Sequence, residues 1–229
     1  PDFFKLSYIN VIISYAILGV FYVGINQLAF LVLHMTTPGV FAISKSGQPL
    51  VTALTQMALY GKRMNQLGWI CIALTSAGLV ITQWDDCTGT LSISAQTALV
   101  LSASVTCSAV AGVVNASTIK RYGAQNIPLS LQNIWLYCFG ALLNLGCYIY
   151  ASGKGQTERD FFEGYGSVSA IGVVLCNSFL GLAINFVYKY GDAVMKTIAA
   201  AISAMCLLVI SFLFFNGRLT VTMIMGALV

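Results

Sequence analysis

Apolar runs long enough to cross a bilayer, roughly 17 to 25 residues each, alternate along this chain with short turns rich in Gly, Pro or charge. The pattern predicts helices over about 7–33, 38–60, 66–84, 90–119, 128–151, 167–188 and 193–215, and an eighth from 219 onward. The eighth run supplies only about half a crossing before Val229, and Pro1 leads into the first helix with no initiator Met or signal-like segment. The chain therefore reads as a portion of a longer one. Strands are the competing reading, but Trp69–Trp84 and Ala98–Val114 lack the period-two alternation of a membrane barrel. A helix also satisfies its own backbone polar groups in lipid. The expected fold class is an all-α polytopic transmembrane helix bundle.

Composition sharpens this picture. Hydrophobic residues make up 58% of the chain and charged ones 8%, against about a quarter charged in soluble domains. Positive charge falls on alternate connections, with Lys62 and Arg63 after the second run and Lys120 and Arg121 after the fourth. Asp85 and Asp86 follow the third, and the long 152–166 connection mixes Lys154 and Arg159 with Glu158, Asp160 and Glu163. The positive-inside rule then places the 62–63, 120–121 and 189–192 connections, and the N-terminus with Lys5, on the cytosolic side. In the 152–166 connection, Phe161 and Phe162 read as interface anchors.

The chemistry available is narrow. A net charge of +4, dispersed along the chain, does not suggest nucleic-acid binding. Six of the seven cysteines lie inside predicted helices without CxxC spacing and read as packing residues, while Cys87 lies in a connection. The sole His, His34, argues against a His-based metal cluster or a catalytic triad, and no phosphate-cradling glycine motif is present. No cofactor, metal or enzymatic activity is expected. Asn115-Ala116-Ser117 matches a glycosylation acceptor formally, but its place near the cytosolic end of a helix makes Asn115 an interhelical hydrogen-bonding residue instead.

Small residues mark where helices approach closely: Ser104, Ser108, Gly112 and Ala116 at four-residue steps, and Ala200 with Ala204. Ser108 and Gly112 are read as structural, with room for a solute path as the sharper alternative. Ionisable residues within apolar runs are candidates for function, because an ammonium in lipid needs water, a partner or an anionic ligand. Lys45, Lys189 and Lys196 meet that description, with snorkelling to the nearer interface as the alternative for Lys45. Asp192 is expected to cap the helix from 193 and to pair with Lys196 at i,i+4. The turns Thr37–Phe41 and Tyr190–Met195 both follow a long helix and precede one with small residues, a weak internal symmetry of the kind secondary transporters carry. Residues 1–84 would then be helices three to five of one repeat and 90–229 a second repeat, its last helix incomplete.

Read in order, several short motifs carry a resemblance. They are Asn26-Gln27-Leu28-Ala29-Phe30, Ala77-Gly78 with Gln83-Trp84, Cys107-Ser108, Ala111-Gly112-Val113, and Gln132-Asn133-Ile134 with Tyr137 and Gly140. Phe161-Phe162, Gly164-Tyr165, Lys189-Tyr190, Asp192 and Met195-Lys196 complete the series. From about Leu6 to Val229 the chain resembles the nucleotide-sugar transporters of the drug/metabolite transporter superfamily, in particular the branch of the CMP-sialic acid and UDP-galactose carriers. The resemblance implies a ten-helix inverted-repeat carrier of Golgi or related membranes, exchanging a nucleotide sugar for a nucleoside monophosphate. It implies Tyr22, Asn26, Asn133, Lys189 and Lys196 as solute contacts.

The departures are as informative. Phe41 and Ala42 stand where the family has Tyr-Gln, Gln48-Pro49 where it has Lys-Ile-Pro, Val114 to Ser117 where it has Tyr-Phe-Glu-Lys, and Gln132 where it has Arg. Three expected cations are gone, and Lys45 is the one addition. Three readings stay open. A carrier that kept the family mechanism needs a lysine-lined cavity. A carrier of a less anionic metabolite would use Gln48, Asn115, Ser117 and Gln132. A structural subunit would bury its apolar faces in a larger membrane complex. Expected partners are a nucleotide sugar or related small metabolite, the lipid bilayer, and a homodimer or larger membrane-protein complex, with no nucleic acid.

Overall fold

The computed structural model describes residues 6–36, 38–61, 63–82, 94–154, 165–215 and 224–226. Outside them fall Lys5, Lys62, Asp85, Asp86, Cys87, Gln83-Trp84, most of the long connection with Phe161 and Phe162, and nearly all of the run from 219. The described residues form eight helices: α1 (Leu6–Met35), α2 (Pro38–Ser46), α3 (Gln48–Tyr60), α4 (Gln66–Thr82), α5 (Ala95–Ala124), α6 (Leu129–Gly153), α7 (Val168–Tyr190) and α8 (Ala193–Phe215). A further helical turn covers 224–226.

The chain is an all-α polytopic membrane helix bundle. Four helices among the described residues are long and apolar enough to span a bilayer, at Ile9–Met35, Ala95–Ala124, Leu129–Gly153 and Val168–Tyr190. α4 has 17 residues and ends where the described residues break off at Thr82. The expected single helix over 38–60 is two, α2 and α3, parted at Gly47. Pro49 supplies the reason: it has no N–H to give, and its ring crowds the carbonyl of Lys45 one turn earlier. The backbone tightens there, with Gly47 N–H bonding Ser44 O at 3.3 Å before Val51 N–H bonds Gly47 O at 3.2 Å. At its far end α3 stops at Gly61, which takes φ +64 and returns its N–H to Met57 O at 2.9 Å.

Two compact units divide the chain, Pro1–Val23 with Asn115–Gly191, and Gly24–Val114 with Asp192–Val229. In the first, Gly19 lets α1 lie against α6, since a Cβ there would stand 3.2 Å from Phe139 Cβ. Tyr122 of α5 donates to the Asn10 carbonyl at 3.0 Å and stands 2.7 Å from Ser14 Oγ, tying α5 to α1. In the second unit α3, α4 and α8 share a core of Ala53, Ile72 and Val194, with Met64, Trp69 and Ile198 packed against it.

Large apolar side chains dominate the surface, among them Phe30, Leu99, Phe179 and Val168. A bilayer makes that arrangement favourable, where water would not. The cysteines correct a sequence expectation in the same way. Cys71, Cys138, Cys147, Cys176 and Cys206 are exposed and only Cys107 is partly covered, so they line the outer faces of their helices and do not pack the core.

Candidate functional site

Each unit concentrates polar side chains differently. In the first, Asn115 sits at 1% exposure in the second half of α5, and its Nδ2 donates to Tyr22 Oη at 3.0 Å and to Asn185 Oδ1 at 3.3 Å. Asn185 on α7 uses its own Nδ2 on Asn133 Oδ1 of α6 at 2.8 Å and on Tyr137 Oη at 3.3 Å. Tyr188 joins by a hydrogen bond to Tyr22. Three amides and three hydroxyls thus lock α1, α5, α6 and α7 together, with all four amide hydrogens of Asn115 and Asn185 engaged. Asn115 Oδ1 is buried without a partner, as is Trp135 Nε1 elsewhere in this unit.

A second buried amide closes a neighbouring turn of the same unit. Gln132 Oε1 accepts from Tyr15 Oη at 2.7 Å, and its Nε2 donates to the Ile127 carbonyl at 2.9 Å. Gln132 stands where the resemblance expects Arg, and its polar ends are turned on the protein itself.

The second unit holds charge. Lys45 Nζ donates to Ser108 Oγ at 2.9 Å and lies 5.5 Å from the centre of the Phe41 ring. Lys196, from the first turn of α8, is close enough for its charge to act on Lys45. Both ammonium groups are half-buried. Asp192 is the only acidic residue among the described ones; it stands immediately before α8 and its carbonyl accepts the Lys196 N–H at 3.1 Å. Four more polar atoms in this unit are buried without hydrogen-bond partners among the described residues: Thr52 Oγ1, Gln56 Oε1, Ser76 Oγ and Ser104 Oγ. Two like charges and several unused hydroxyl and amide groups in an apolar unit fit an anionic or polar ligand better than a sealed core.

The sequence candidates distribute as follows. Tyr22, Asn115 and Asn133 come together through Asn185; Ser117 lies half-buried two residues after Asn115 on α5, and Lys189 is exposed in the last turn of α7, its Nζ 5.0 Å from the Tyr190 ring centre. In the second unit Lys45 and Lys196 come together. Gln48 is half-buried at the start of α3, and Asn26 is exposed. Of the small-residue stripe, Ser104, Gly112 and Ala116 are buried, while Ser108 is the acceptor for Lys45. Ala200 is exposed. Sequence reasoning missed Asn185, Tyr15 and Tyr188. The signal for Asn185 was an amide within an apolar run. A cavity of about 410 Å³ opens beside the α2–α3 break, walled by Ser44, Gly47 and Val51 against Leu101, Ser102 and Thr106. Its hydroxyls bond back to their own helices, leaving it an apolar recess.

Comparison with known proteins adds to this geometry. Residues 7–229 match the family described as nucleotide-sugar transporter. The CMP-sialic acid transporter 2 of Oryza sativa subsp. indica is 24% identical over 216 residues, covering 94% of this chain and 60% of that protein. The CMP-sialic acid transporter 1 of Oryza sativa subsp. japonica is 26% identical over 225 residues, covering 94% and 69%. The UDP-N-acetylglucosamine transporter of Rattus norvegicus is 27% identical over 195 residues, covering 82% and 58%. The chain thus spans about three fifths of the length of such relatives. One solved crystal structure aligns with a TM-score of 0.68 at 15% identity, covering 93% of this chain and 71% of its own, a likeness of fold alone.

Proposed function

The chain belongs to the nucleotide-sugar transporter family, and from that premise we propose that it carries a nucleotide sugar or a related phosphorylated metabolite across an internal membrane, in exchange for a nucleoside monophosphate. Membership is of a transporter family and not of an enzyme family. The observation that supports anion transport most is the Lys45 and Lys196 pair. Two ammonium groups near each other in an apolar unit repel, and a phosphate relieves both at once by charge-assisted hydrogen bonds. Ser108 holds Lys45 in place meanwhile with a neutral acceptor that a phosphate oxygen outcompetes. In this reading Lys45 takes over part of the attraction that the family places on the cations missing here at Gln48, Ser117 and Gln132.

The amide set of Tyr22, Asn115, Asn185 and Asn133 has a different role in this proposal. Its donors are consumed internally, so it braces the first unit, with only Asn115 Oδ1 left over. The ten-helix inverted-repeat architecture, the alternating-access exchange and a Golgi or endoplasmic-reticulum location belong to the same proposal, on the strength of the family. A carrier of a less anionic metabolite is the second reading, supported by the neutral residues Gln48, Ser117 and Gln132 at the positions of the missing cations.

The test is uptake by the purified protein in proteoliposomes preloaded with nucleoside monophosphates and offered a panel of nucleotide sugars. Saturable exchange that weakens on Lys196→Ala and on Lys45→Ala supports the anion carrier. Exchange of neutral sugars that is indifferent to both substitutions supports the second reading, and no exchange by folded protein sinks both.

A further inference from the structure

A partly polar cavity lies in the first unit, and its walls come from consecutive pieces of backbone geometry. Helix α5 ends in a Schellman turn: Ile127 N–H reaches back to Tyr122 O at 3.1 Å, and Asn126 N–H to Gly123 O at 3.1 Å. Asn126 takes the left-handed conformation this turn requires, with φ +61, one that Asn tolerates better than most residues. Pro128 then ends the turn in extended backbone and starts α6. The turn folds around a cavity of about 210 Å³ lined by Ile119, Gly123, Asn126, Pro128, Gln132 and Lys189. That is several times the roughly 30 Å³ occupied by a liquid water molecule.

Two polar side chains on this wall, Gln132 and Lys189, carry donors. Gln132 gives one of its two Nε2 hydrogens to the Ile127 carbonyl, and its acceptor oxygen is taken by Tyr15. The Lys189 ammonium donates to no protein acceptor among the described residues and rests only near the Tyr190 ring. Charge on the unit is one-sided: its described residues include Lys120, Arg121, Lys154 and Lys189 but no Asp or Glu. Lys120 and Arg121 close the same helix, α5, that supplies Ile119 and Gly123 to the cavity. Basic pockets between membrane helices on the cytoplasmic side take phosphorylated headgroups, and the positive-inside pattern puts these ends on that side.

We infer that the α5–α6 turn and Lys189 form a phosphate-ester site distinct from the Lys45 and Lys196 pair, fitted to a phosphorylated lipid headgroup or to a free phosphate. The apolar part of the wall, Ile119, Ile127, Pro128 and Leu129, suits a ligand whose remainder lies along the helices. This site does not depend on the transport reading, because it asks only for binding.

Thermal unfolding of the whole purified protein tests it, in nanodiscs of phosphatidylcholine alone, in nanodiscs with one fifth phosphatidylinositol phosphate, and in phosphatidylcholine with added inorganic phosphate. The expected result is a rise of roughly 5 °C with the phosphorylated lipid, as binding to the folded state requires. Lys189→Gln removes the charge and Gly123→Leu fills the cavity from a position where a Cβ meets nothing within 4 Å. Each is expected to abolish the rise. A rise with the lipid only identifies a headgroup, and an equal rise with inorganic phosphate identifies a free anion; either supports the site. No rise with either probe overturns it. A rise lost in Lys189→Gln but kept in Gly123→Leu also overturns it, because diffuse surface charge would then account for the binding.

Discussion

The first unit buries neutral amides bonded to one another, Asn115 to Asn185 to Asn133, whereas the second half-buries two ammonium groups beside a hydroxyl and a ring. The difference teaches where stability and function separate. A closed amide network holds helices in register, because each group removed leaves its neighbour unpaired in a low-dielectric interior. An ammonium without a carboxylate does the reverse: it strains the resting protein and rewards an anion.

Breaking the charged side should give the largest effect. Replacing both Lys45 and Lys196 by Met is expected to weaken phosphorylated-solute binding about 100-fold or more, at about 1.5–3 kcal/mol for each of the two charge-assisted contacts. The thermal midpoint should hold or rise, since two partly desolvated charges are gone. A direct binding titration beside a melting curve reads both, and a large drop in the midpoint would make the lysines structural. Next, Asn185→Leu strands Asn115 Nδ2 and Asn133 Oδ1, with an expected loss of about 1–3 kcal/mol of stability. Thermal unfolding of the empty protein measures it, and an unchanged midpoint would mean that the amides are held without Asn185.

Ser108→Ala is a finer probe, removing the resting acceptor of Lys45 at 2.9 Å. It should alter stability by about 1 kcal/mol and tighten phosphorylated-solute binding modestly, because the ammonium no longer leaves a partner when solute arrives. Weaker binding would show that Ser108 orients Lys45 for its ligand. The smallest effect is expected from Pro49→Ala, which restores a donor for the Lys45 carbonyl. Hydrogen exchange should show a newly protected amide at position 49 and slower exchange across 45–51, with little change in the midpoint.

The helices were legible because lipid imposes length and apolarity on them; the starts and ends of α1, α6, α7 and α8 fall within a few residues of the runs that predicted them. The break at Gly47 was written in Pro49, yet the continuous apolar character of 38–60 concealed it. α5 runs to Ala124, past its expected end near 119, because Lys120 and Arg121 are good helix formers and the Schellman turn waits at Asn126. Lys45 and Lys196 stood out as charges among apolar residues, but their proximity depends on packing between elements distant in the chain. Asn185 was hidden for a similar reason. One Asn in an apolar run says that a partner exists, and only the fold names it.

The break between α2 and α3 also bears on how the chain enters its membrane. The two pieces measure about 14 Å and 20 Å, neither able to cross alone, and inserting Lys45 near a helix centre costs about 2.5–3.5 kcal/mol on translocon scales. A translocon weighing this segment by itself has little reason to release it into lipid. Its lasting neighbour is α8, through Ala53 and Val194, and α8 is synthesised after every other helix named above. The segment is therefore expected to settle late, once α8 has been made and joins α4 against it.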